Sequence, residues 1–308
     1  MERIILNVDT GQDDAVAIML AAASKAVKVE GIVALGGNQT LVKTLNNTLN
    51  LVEALDMDVK VYKGTDGPLI REQIIAGDVH GESGFDGPVF PKERKIQCSG
   101  YGIPYIVETV MANPNEITLV PVGPLTDIAL ALKMEPKLAQ NIKKIVLMGG
   151  AIAGGNTTEY AEFNIFADPE AADIVFSSGV EIYMMGLDVT EKLCVTEQKL
   201  DVYKKRLENK YSRALEIFTQ SMTCYAKALE KLCGELPCMH DPSCIVALSD
   251  ESIFGFKKAN IKVELKDKER YGQTCATFNE SGNVHVALTV EKDAEFWSYL
   301  DRAFDVLK

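Results

Sequence analysis

The chain has 308 residues, of which 47% are hydrophobic and 25% charged, so its composition excludes a disordered protein and fits an ordinary globular one. Its 32 lysines and arginines and 44 aspartates and glutamates give a formal net charge of −12, which argues against a nucleic-acid polymer as partner because phosphate binding requires a basic surface. Seven cysteines without regular spacing argue against a secreted disulfide framework, so we expect a cytoplasmic protein in a reducing compartment.

The start of the chain predicts a strand. Residues 1–9 lack the basic stretch, the long apolar run and the small-residue cleavage site of a signal peptide. No run of about 18 apolar residues follows anywhere, so we expect no helix that spans a membrane.

Short apolar runs and helical patterns alternate over the first two thirds of the chain. Strands are predicted at residues 3–8, 27–35, 59–62, 117–122, 144–148 and 181–187. Helices are predicted at residues 13–23, 39–55 and 171–177, and in a segment that ends at residue 132. Glycines follow most of the strands, and the apolar runs are nearly continuous, as in a sheet covered on both faces. The order predicts a single α/β domain over residues 1–308, with an open, mainly parallel sheet flanked by helices.

The remaining segments are less regular. Residues 64–102 are rich in glycine, proline and charge, and long loops of this kind are usually functional or disordered. Residues 191–236 predict a helical region, residues 260–288 predict β-structure, and residues 294–307 predict a closing helix.

An aspartate cluster follows the first strand. Asp9, Asp13 and Asp14 lie within six residues, a density that is unfavourable unless a cation or full solvation offsets the repulsion. Hard oxygen ligands select Ca²⁺ or Mg²⁺. Alternatively, Asp13 and Asp14 only complement the dipole of the helix that follows. The segment also resembles the DxDxT strand end of haloacid-dehalogenase-type phosphatases, but Asn7 stands where their nucleophilic aspartate is required.

A second group of polar residues lies in the middle of the chain. Asn156, Glu162 and Asn164 stand among small and apolar residues, and burying them without partners would cost roughly 1–3 kcal/mol each. A polyhydroxyl ligand such as a sugar would satisfy them. A capped turn before a helix that begins near Asp168 is the alternative, but it accounts only for Asp168 and Pro169.

The chain has three histidines, His80, His240 and His285. His240 precedes Asp241 in a turn rich in cysteine and proline, and histidine is the natural proton donor near neutral pH. A structural role for this histidine stays open. A zinc site that also uses Cys233 and Cys238 matches no standard spacing.

Taken in order, these motifs resemble the inosine–uridine nucleoside hydrolase family, whose signature is roughly DxDPGxDDA. The matching segments span nearly the whole chain and are residues 7–15, 37–40, 79–82, 119–126, 149–151, 162–164, 167–172 and 240–241. The details around His80 and Asn164 are most similar to the pyrimidine-preferring ribonucleoside hydrolases of bacteria.

The resemblance implies a Rossmann-like nucleoside hydrolase fold and a specific set of site residues. The expected ligands of a Ca²⁺ ion are Asp9, Asp14, Asp241 and the backbone carbonyl of Val122. The residues expected to hold the ribose are Asp13, Asn38, Asn156, Glu162 and Asn164. In the family mechanism Asp9 takes a proton from a calcium-bound water, which attacks C1′. His240 and His80 are the expected proton donors to the departing base, and both would shape the base pocket.

The resemblance also implies a ribonucleoside substrate, a role in nucleoside salvage and a homo-oligomer, either a dimer or a tetramer. Asn7 replaces the first aspartate of the signature, and Thr10 replaces its proline. Residues 225–236 match the family poorly, which leaves base specificity open. The lone Trp297 lies in the last helix, so the purine-specific branch, which stacks its base on aromatic side chains including tryptophan, is disfavoured.

Three hypotheses remain. The first is calcium-dependent hydrolysis of ribonucleosides to ribose and free base, with uridine and cytidine favoured and inosine also accepted. The second is a catalytically silent nucleoside-binding protein. The third is a phosphatase on a similar α/β scaffold, which rests only on the segment around Asp9 and Thr10.

Overall fold

Nine β-strands form one central sheet in the computed structural model, which describes residues 1–307. The strands are β1 (Glu2–Val8), β2 (Val27–Ala34), β3 (Val61–Lys63), β4 (Ile117–Pro121), β5 (Lys144–Met148), β6 (Ile182–Met185), β7 (Phe254–Val263), β8 (Thr274–Phe278) and β9 (Val284–Val290). They lie in the order β3-β2-β1-β4-β5-β6-β9-β7-β8. The first seven strands in this spatial order, which are β3, β2, β1, β4, β5, β6 and β9, pair in parallel. Strand β7 is antiparallel to both β9 and β8. The predicted single α/β domain with a mainly parallel sheet is confirmed.

Helices cover both faces of this sheet. They are α1 (Gln12–Ala23), α2 (Leu41–Ala54), α3 (Gly77–His80), α4 (Gly102–Ala112), α5 (Thr126–Met134), α6 (Leu138–Asn141), α7 (Phe163–Ala167), α8 (Pro169–Phe176), α9 (Leu187–Thr190), α10 (Glu197–Asn209), α11 (Arg213–Leu232), α12 (Pro242–Ser249) and α13 (Asp293–Val306). Strand β1 shows the layering directly, because Ile4, Leu6 and Val8 belong to one apolar cluster and Ile5 to the other. Alternate side chains of a strand point to opposite faces, so near-continuous apolar runs are what a doubly covered sheet requires.

Most predicted elements are confirmed within two residues, but the β-structure predicted from residue 260 begins at Phe254, helix α12 was not predicted, and neither was helix α4. Its buried positions Gly102, Ile106 and Val110 recur every fourth residue, which is helical spacing. Pro104 sits in the first turn, where a missing N–H costs no hydrogen bond. No element is predicted for residues 103–116, which lie between the long loop and the next predicted strand.

The predicted helical region 191–236 is wrong at both ends and in its continuity, since residues 191–196 and 233–236 are not helical. It forms two helices, and Ser212 begins the second by accepting a hydrogen bond from the N–H of Leu215. The second helix ends at Leu232, and Gly234 adopts φ 76°, a left-handed conformation that favours glycine. Residues 233–236 therefore form the irregular segment that leads to His240.

Cys194 and Cys238 form a disulfide, which the sequence analysis did not anticipate. The two residues face each other in an isolated antiparallel bridge, and the other five cysteines are free. One bridge is not the framework of a small secreted domain, and the cytoplasmic location stays a prediction. Within residues 1–307 no helix combines the length and the apolar character needed to cross a membrane.

Candidate active site

The predicted site residues meet at the carboxyl ends of β1, β2, β4 and β5, around a cavity of about 510 Å³. Ligands of open α/β sheets bind at this edge. The sequence-predicted residues that line the cavity are Asp13, Asn38, His80, Val122, Asn156, Glu162, Asn164, His240 and Asp241. Asp9 and Asp14 do not line it but are buried beside it.

Asp9 and Asp14 are held by the turn between β1 and α1. One carboxylate oxygen of Asp14 accepts the N–H of Asp9 at 3.0 Å, and the other accepts the N–H of Gly11 at 2.9 Å. The backbone N–H of Asn38 donates to Asp9 Oδ2 at 2.7 Å, and the Asn38 side chain donates to Asp14 Oδ2 at 3.2 Å. These bonds fix both carboxylates before any ligand arrives.

Four carboxyl groups are buried close together beside the turn between β1 and α1, those of Asp9, Asp13, Asp14 and Asp241. The carboxylate oxygens of Asp13, Asp14 and Asp241 lie within 4.8 Å of one another, a grouping that does not include Asp9. Burial, followed by repulsion from Asp14, raises the pKa of Asp13 to about 8, and burial raises the pKa of Asp14 to about 6. Burial, with neighbouring carboxylates, also holds the pKa values of Asp9 and Asp241 well above their usual range. The group is therefore unfavourable in its ionised form without a compensating positive charge.

Two fully buried carboxylate oxygens of these four aspartates accept no hydrogen bond from residues 1–307. Asp9 Oδ1 and Asp13 Oδ1 are buried without a hydrogen bond to any described residue. Unsatisfied buried carboxylate oxygens are costly, and a hard cation would satisfy them. The donor set therefore fits a Ca²⁺ ion.

Asp9 is enclosed by two glycines. A Cβ atom built on Gly37 or on Gly123 would collide with the carboxylate of Asp9. Neither glycine has a left-handed backbone conformation, so the requirement is space for the carboxylate. The two glycines that follow β2 and β4 therefore leave the space that the Asp9 carboxylate occupies.

If Asp9 has the base role that the resemblance implies, replacing Gly37 by alanine is expected to lower kcat for nucleoside hydrolysis by roughly 100-fold while leaving the fold intact, because a displacement of about 1 Å at a reacting group costs that much. Gly67→Ala is the matched control, since its Cβ would meet only the side chain of Gln73 at 3.8 Å. Steady-state kinetics and circular dichroism of both variants check the expectation. Equal kcat values for the two variants would contradict it.

The structure corrects one inference about Glu162 and Asn164. The backbone N–H groups of Gly150, Asn164 and Ile165 donate to the Glu162 carboxylate, and Glu162 caps α7. The Asn164 side-chain amide donates to the carbonyls of Val122 at 2.8 Å and Met148 at 3.2 Å. Backbone groups therefore already supply partners to both side chains, and the expectation that they would lack partners without a sugar was wrong. Both residues still line the cavity.

Asn156 also differs from the expectation. It is exposed, and its Oδ1 accepts the N–H of Phe163 at 2.9 Å. It reaches the cavity from an irregular loop that Asp188 secures by accepting the N–H groups of Ile152 and Ala153. The predicted capped turn is confirmed at Asp168, whose side chain accepts the N–H of Ala171 before Pro169 opens α8.

The two cavity histidines have different hydrogen-bond environments. Gln12 donates to the carbonyl of His80 at 3.1 Å, so its Oε1 accepts from His80 Nδ1 at 2.6 Å. The neutral His80 ring then presents Nε2 as an acceptor. His240 Nδ1 lies 2.8 Å from the hydroxyl of Thr190, which can donate to it and leave a proton on Nε2. Burial lowers the pKa of His80 to about 3 and that of His240 to about 4.

Several further residues line the cavity, and two of them, Tyr225 and Leu232, lie in the segment 225–236 that the resemblance predicts to face the base. Tyr225 is buried, lies near the His80 ring with a centroid separation of 5.5 Å and projects from α11. The apolar residues that complete the wall include Ile74, Val79, Met148, Phe163, Phe166 and Leu232. Tyr225 recurs with Phe218 and Met222 at helical spacing, and this spacing alone predicts only a core face. His285 lies elsewhere, stacked on Tyr183 and bonded to Glu181.

Comparisons with known proteins agree with this fold. The family model described as inosine-uridine preferring nucleoside hydrolase matches residues 4–298. A pyrimidine-specific ribonucleoside hydrolase, RihB, from Escherichia coli (strain SE11) is 41% identical over 305 residues, which cover 97% of this chain and 96% of that protein. A purine-preferring ribonucleoside hydrolase from Gardnerella vaginalis superposes with a TM-score of 0.91 at 29% identity, covering 100% of this chain and 99% of that one. The plant nucleoside hydrolase PpNRh1 enzyme gives a TM-score of 0.88 at 29% identity, covering 98% and 99%.

Proposed function

The chain belongs to the inosine-uridine preferring nucleoside hydrolase family and is a ribonucleoside hydrolase, and we propose that it favours pyrimidine ribonucleosides such as uridine and cytidine, with inosine a poorer substrate. The products are ribose and the free base. The observation that carries the proposal is the cavity itself, in which buried carboxylates lie at one end and apolar and aromatic side chains form the wall. The preference for pyrimidines rests on the 41% identity to a pyrimidine-specific relative.

The proposed cofactor is Ca²⁺, held by Asp9, Asp14, Asp241 and the carbonyl of Val122. The grouping of Asp13 with Asp14 and Asp241 makes Asp13 a neighbour of the same ion. Asn164 donates to the Val122 carbonyl, whose second lone pair remains for a cation. When bound, the ion would neutralise the crowded carboxylates and polarise water and hydroxyl groups.

Asp9 is proposed as the general base. Its Oδ2 is engaged by the N–H of Asn38, while its Oδ1 has no hydrogen-bond partner, so one lone pair of Oδ1 would face the cation and the other would accept a proton from the attacking water. Asp13, Asn38, Asn156, Glu162 and Asn164 are proposed to bind the ribose. Their negative and polar groups oppose the positive charge that develops on the sugar ring as the glycosidic bond breaks.

The histidines are proposed to act on the base. His240 donates a hydrogen bond from Nε2 to the departing base and keeps its proton, because its low pKa leaves the ring neutral. This hydrogen bond stabilises the charge that grows on the base as the glycosidic bond breaks. His80 is assigned a different role from the donor role of the sequence analysis. Held by Gln12, its Nε2 accepts a hydrogen bond from an N–H group of the base, which both uracil and cytosine offer.

Replacing His240 by alanine is expected to lower kcat for uridine by about 10²-fold, because assistance to a poor leaving group is lost. A riboside of 4-nitrophenol, whose leaving group departs unaided, should lose less than about threefold. His285→Ala is the control histidine, since it lies outside the cavity. Equal losses on both substrates would remove His240 as the donor.

The function is tested by incubating the protein with uridine, cytidine and inosine and separating nucleoside from free base by chromatography. Base release fastest from the two pyrimidine nucleosides is the expected result. Binding without release from any nucleoside would favour the silent binding protein. Phosphate release from a phosphomonoester, with no base release, would favour the phosphatase.

The cytoplasmic location, the role in nucleoside salvage and the homo-oligomer, a dimer or a tetramer, are proposed from the resemblance and the composition. Sedimentation of the purified protein measures the last of these directly. A monomer at the concentration of the assay would contradict it.

A further inference from the structure

A buried carboxylate outside the proposed site lies next to the strand that carries Asp9. Asp127, in the first turn of α5, is fully buried. Its Oδ2 accepts from the side-chain amide of Asn7 at 2.9 Å, and its Oδ1 accepts the N–H of Thr65 at 2.9 Å. No lysine or arginine pairs with it among the described residues.

The geometry permits only one orientation of these groups. The amide nitrogen of Asn7 also donates to the carbonyl of Val33 at 3.1 Å, so it faces two acceptors and cannot be exchanged with its own oxygen. Both oxygens of Asp127 face donors. An amide at position 127 would have to point its NH₂ group at one of them, and a carboxylate at position 7 would face the Asp127 carboxylate.

This pair connects segments that supply the proposed site. The carbonyl of Asn7 accepts the N–H of Val122 at 2.9 Å, and Asn7 lies two residues before Asp9 on the same face of the chain. Thr65 starts the long segment that leads to His80, and its carbonyl accepts the N–H of Gly36 at 2.8 Å. One pair of side chains therefore fixes the ends of β1, β2 and β4 relative to one another.

Asn7 is also where the chain departs from the family signature, which has an aspartate at this position. We propose that Asn7 and Asp127 form an exchangeable buried pair that positions Asp9 and Val122, with the carboxylate supplied from α5 in place of the one expected at position 7. Asp127 is thus a positioning residue, since it touches neither the cavity nor its ligand-binding groups. The inference rests on the proposed function for its activity measurement.

The test is an exchange of the two side chains. Asn7→Asp and Asp127→Asn should each lower kcat for uridine by at least about tenfold. Each variant leaves a buried polar group that faces the wrong partner, and the cost of this mismatch corresponds to more than a factor of ten in an equilibrium constant. Relieving the mismatch would displace the neighbouring Asp9. KM should change less than kcat, since the displaced groups are the proposed base and its neighbour. In the double variant the amide at position 127 can accept from Thr65 and donate to the carboxylate at position 7. The bond to the Val33 carbonyl is then lost, and a carboxylate oxygen faces that carbonyl in place of the amide N–H, so the recovery is partial.

The double variant is therefore expected to turn over uridine at least about tenfold faster than the slower single variant. Double-variant activity no better than that of the slower single variant would overturn the proposal. A loss of melting temperature in Asp127→Asn with unchanged kcat would also overturn it, because the role would then be purely structural.

Ile128→Val is the matched control, since it removes one methyl group from the neighbouring buried position of the same helix. It should lower the melting temperature slightly and leave kcat unchanged. Melting temperatures of the four forms also measure the coupling without substrate. If the wild type released no base, the proposed function would fail, and the exchange would be judged by non-additivity of the melting temperatures alone.

Discussion

Asp9→Asn is expected to lower kcat for uridine by about 10²–10⁴-fold while changing nucleoside affinity by less than about threefold. The amide can keep the bond from the N–H of Asn38, because its oxygen replaces Oδ2. It cannot accept a proton on the side where Asp9 Oδ1 is without a partner. Single-turnover base release and calorimetric titration with the nucleoside separate the two effects.

The matched control is Asp250→Asn. Asp250 also accepts a backbone N–H, that of Ser252, but it begins a short 3₁₀-helix outside the cavity. It should turn over uridine like the wild type. If Asp9→Asn kept more than a tenth of the wild-type kcat, another group would have to be the base.

Removing divalent cations is expected to abolish turnover, by more than about 100-fold, and to lower the melting temperature. Asp9, Asp13, Asp14 and Asp241 are all buried within one group, and burial holds their pKa values above the usual range, so a cation stabilises the ionised group. A ligand present at 100 times its dissociation constant stabilises the folded state by about 2.7 kcal/mol. Chelation should also be accompanied by proton uptake near neutral pH, which a pH indicator in weak buffer records.

The control for chelation is the same chelator saturated beforehand with Ca²⁺. Excess Ca²⁺ should restore activity fully, and Mg²⁺ less well, because carboxylates and a carbonyl in an irregular arrangement suit the larger ion. Unchanged turnover and unchanged melting temperature after exhaustive chelation would contradict a resident cation. Loss of turnover with full recovery by Mg²⁺ alone would change the identity of the metal.

The aspartate cluster could be predicted because its signal is local. Asp9, Asp13 and Asp14 follow a buried strand, and the rule that ligands bind at the carboxyl ends of parallel strands gives their place. The partners of Glu162 could not be predicted, because they are backbone N–H groups that belong to the turn after β5 and to the first turn of α7. Sequence patterns show which side chains occur, but not which main-chain groups face them.

The fold was predictable to a similar degree. Strand β5 is predicted to the residue, since its apolar run ends in two glycines. Asp127 could not be recognised, because an acidic residue in a first helical turn is common and usually only complements the helix dipole. Its pairing with Asn7, 120 positions away in the sequence, depends on the sheet order that places β1 beside β4.

The bridge between Cys194 and Cys238 encloses α10 and α11, and so encloses Tyr225 and Leu232 of the cavity wall. Closing a loop of this length reduces the entropy of the unfolded chain by an amount worth about 4 kcal/mol. A protease that cuts between these cysteines would leave two peptides that remain one covalent molecule until a thiol reductant separates them. In an oxidised sample, a nick in the cavity wall would thus be invisible on a non-reducing gel.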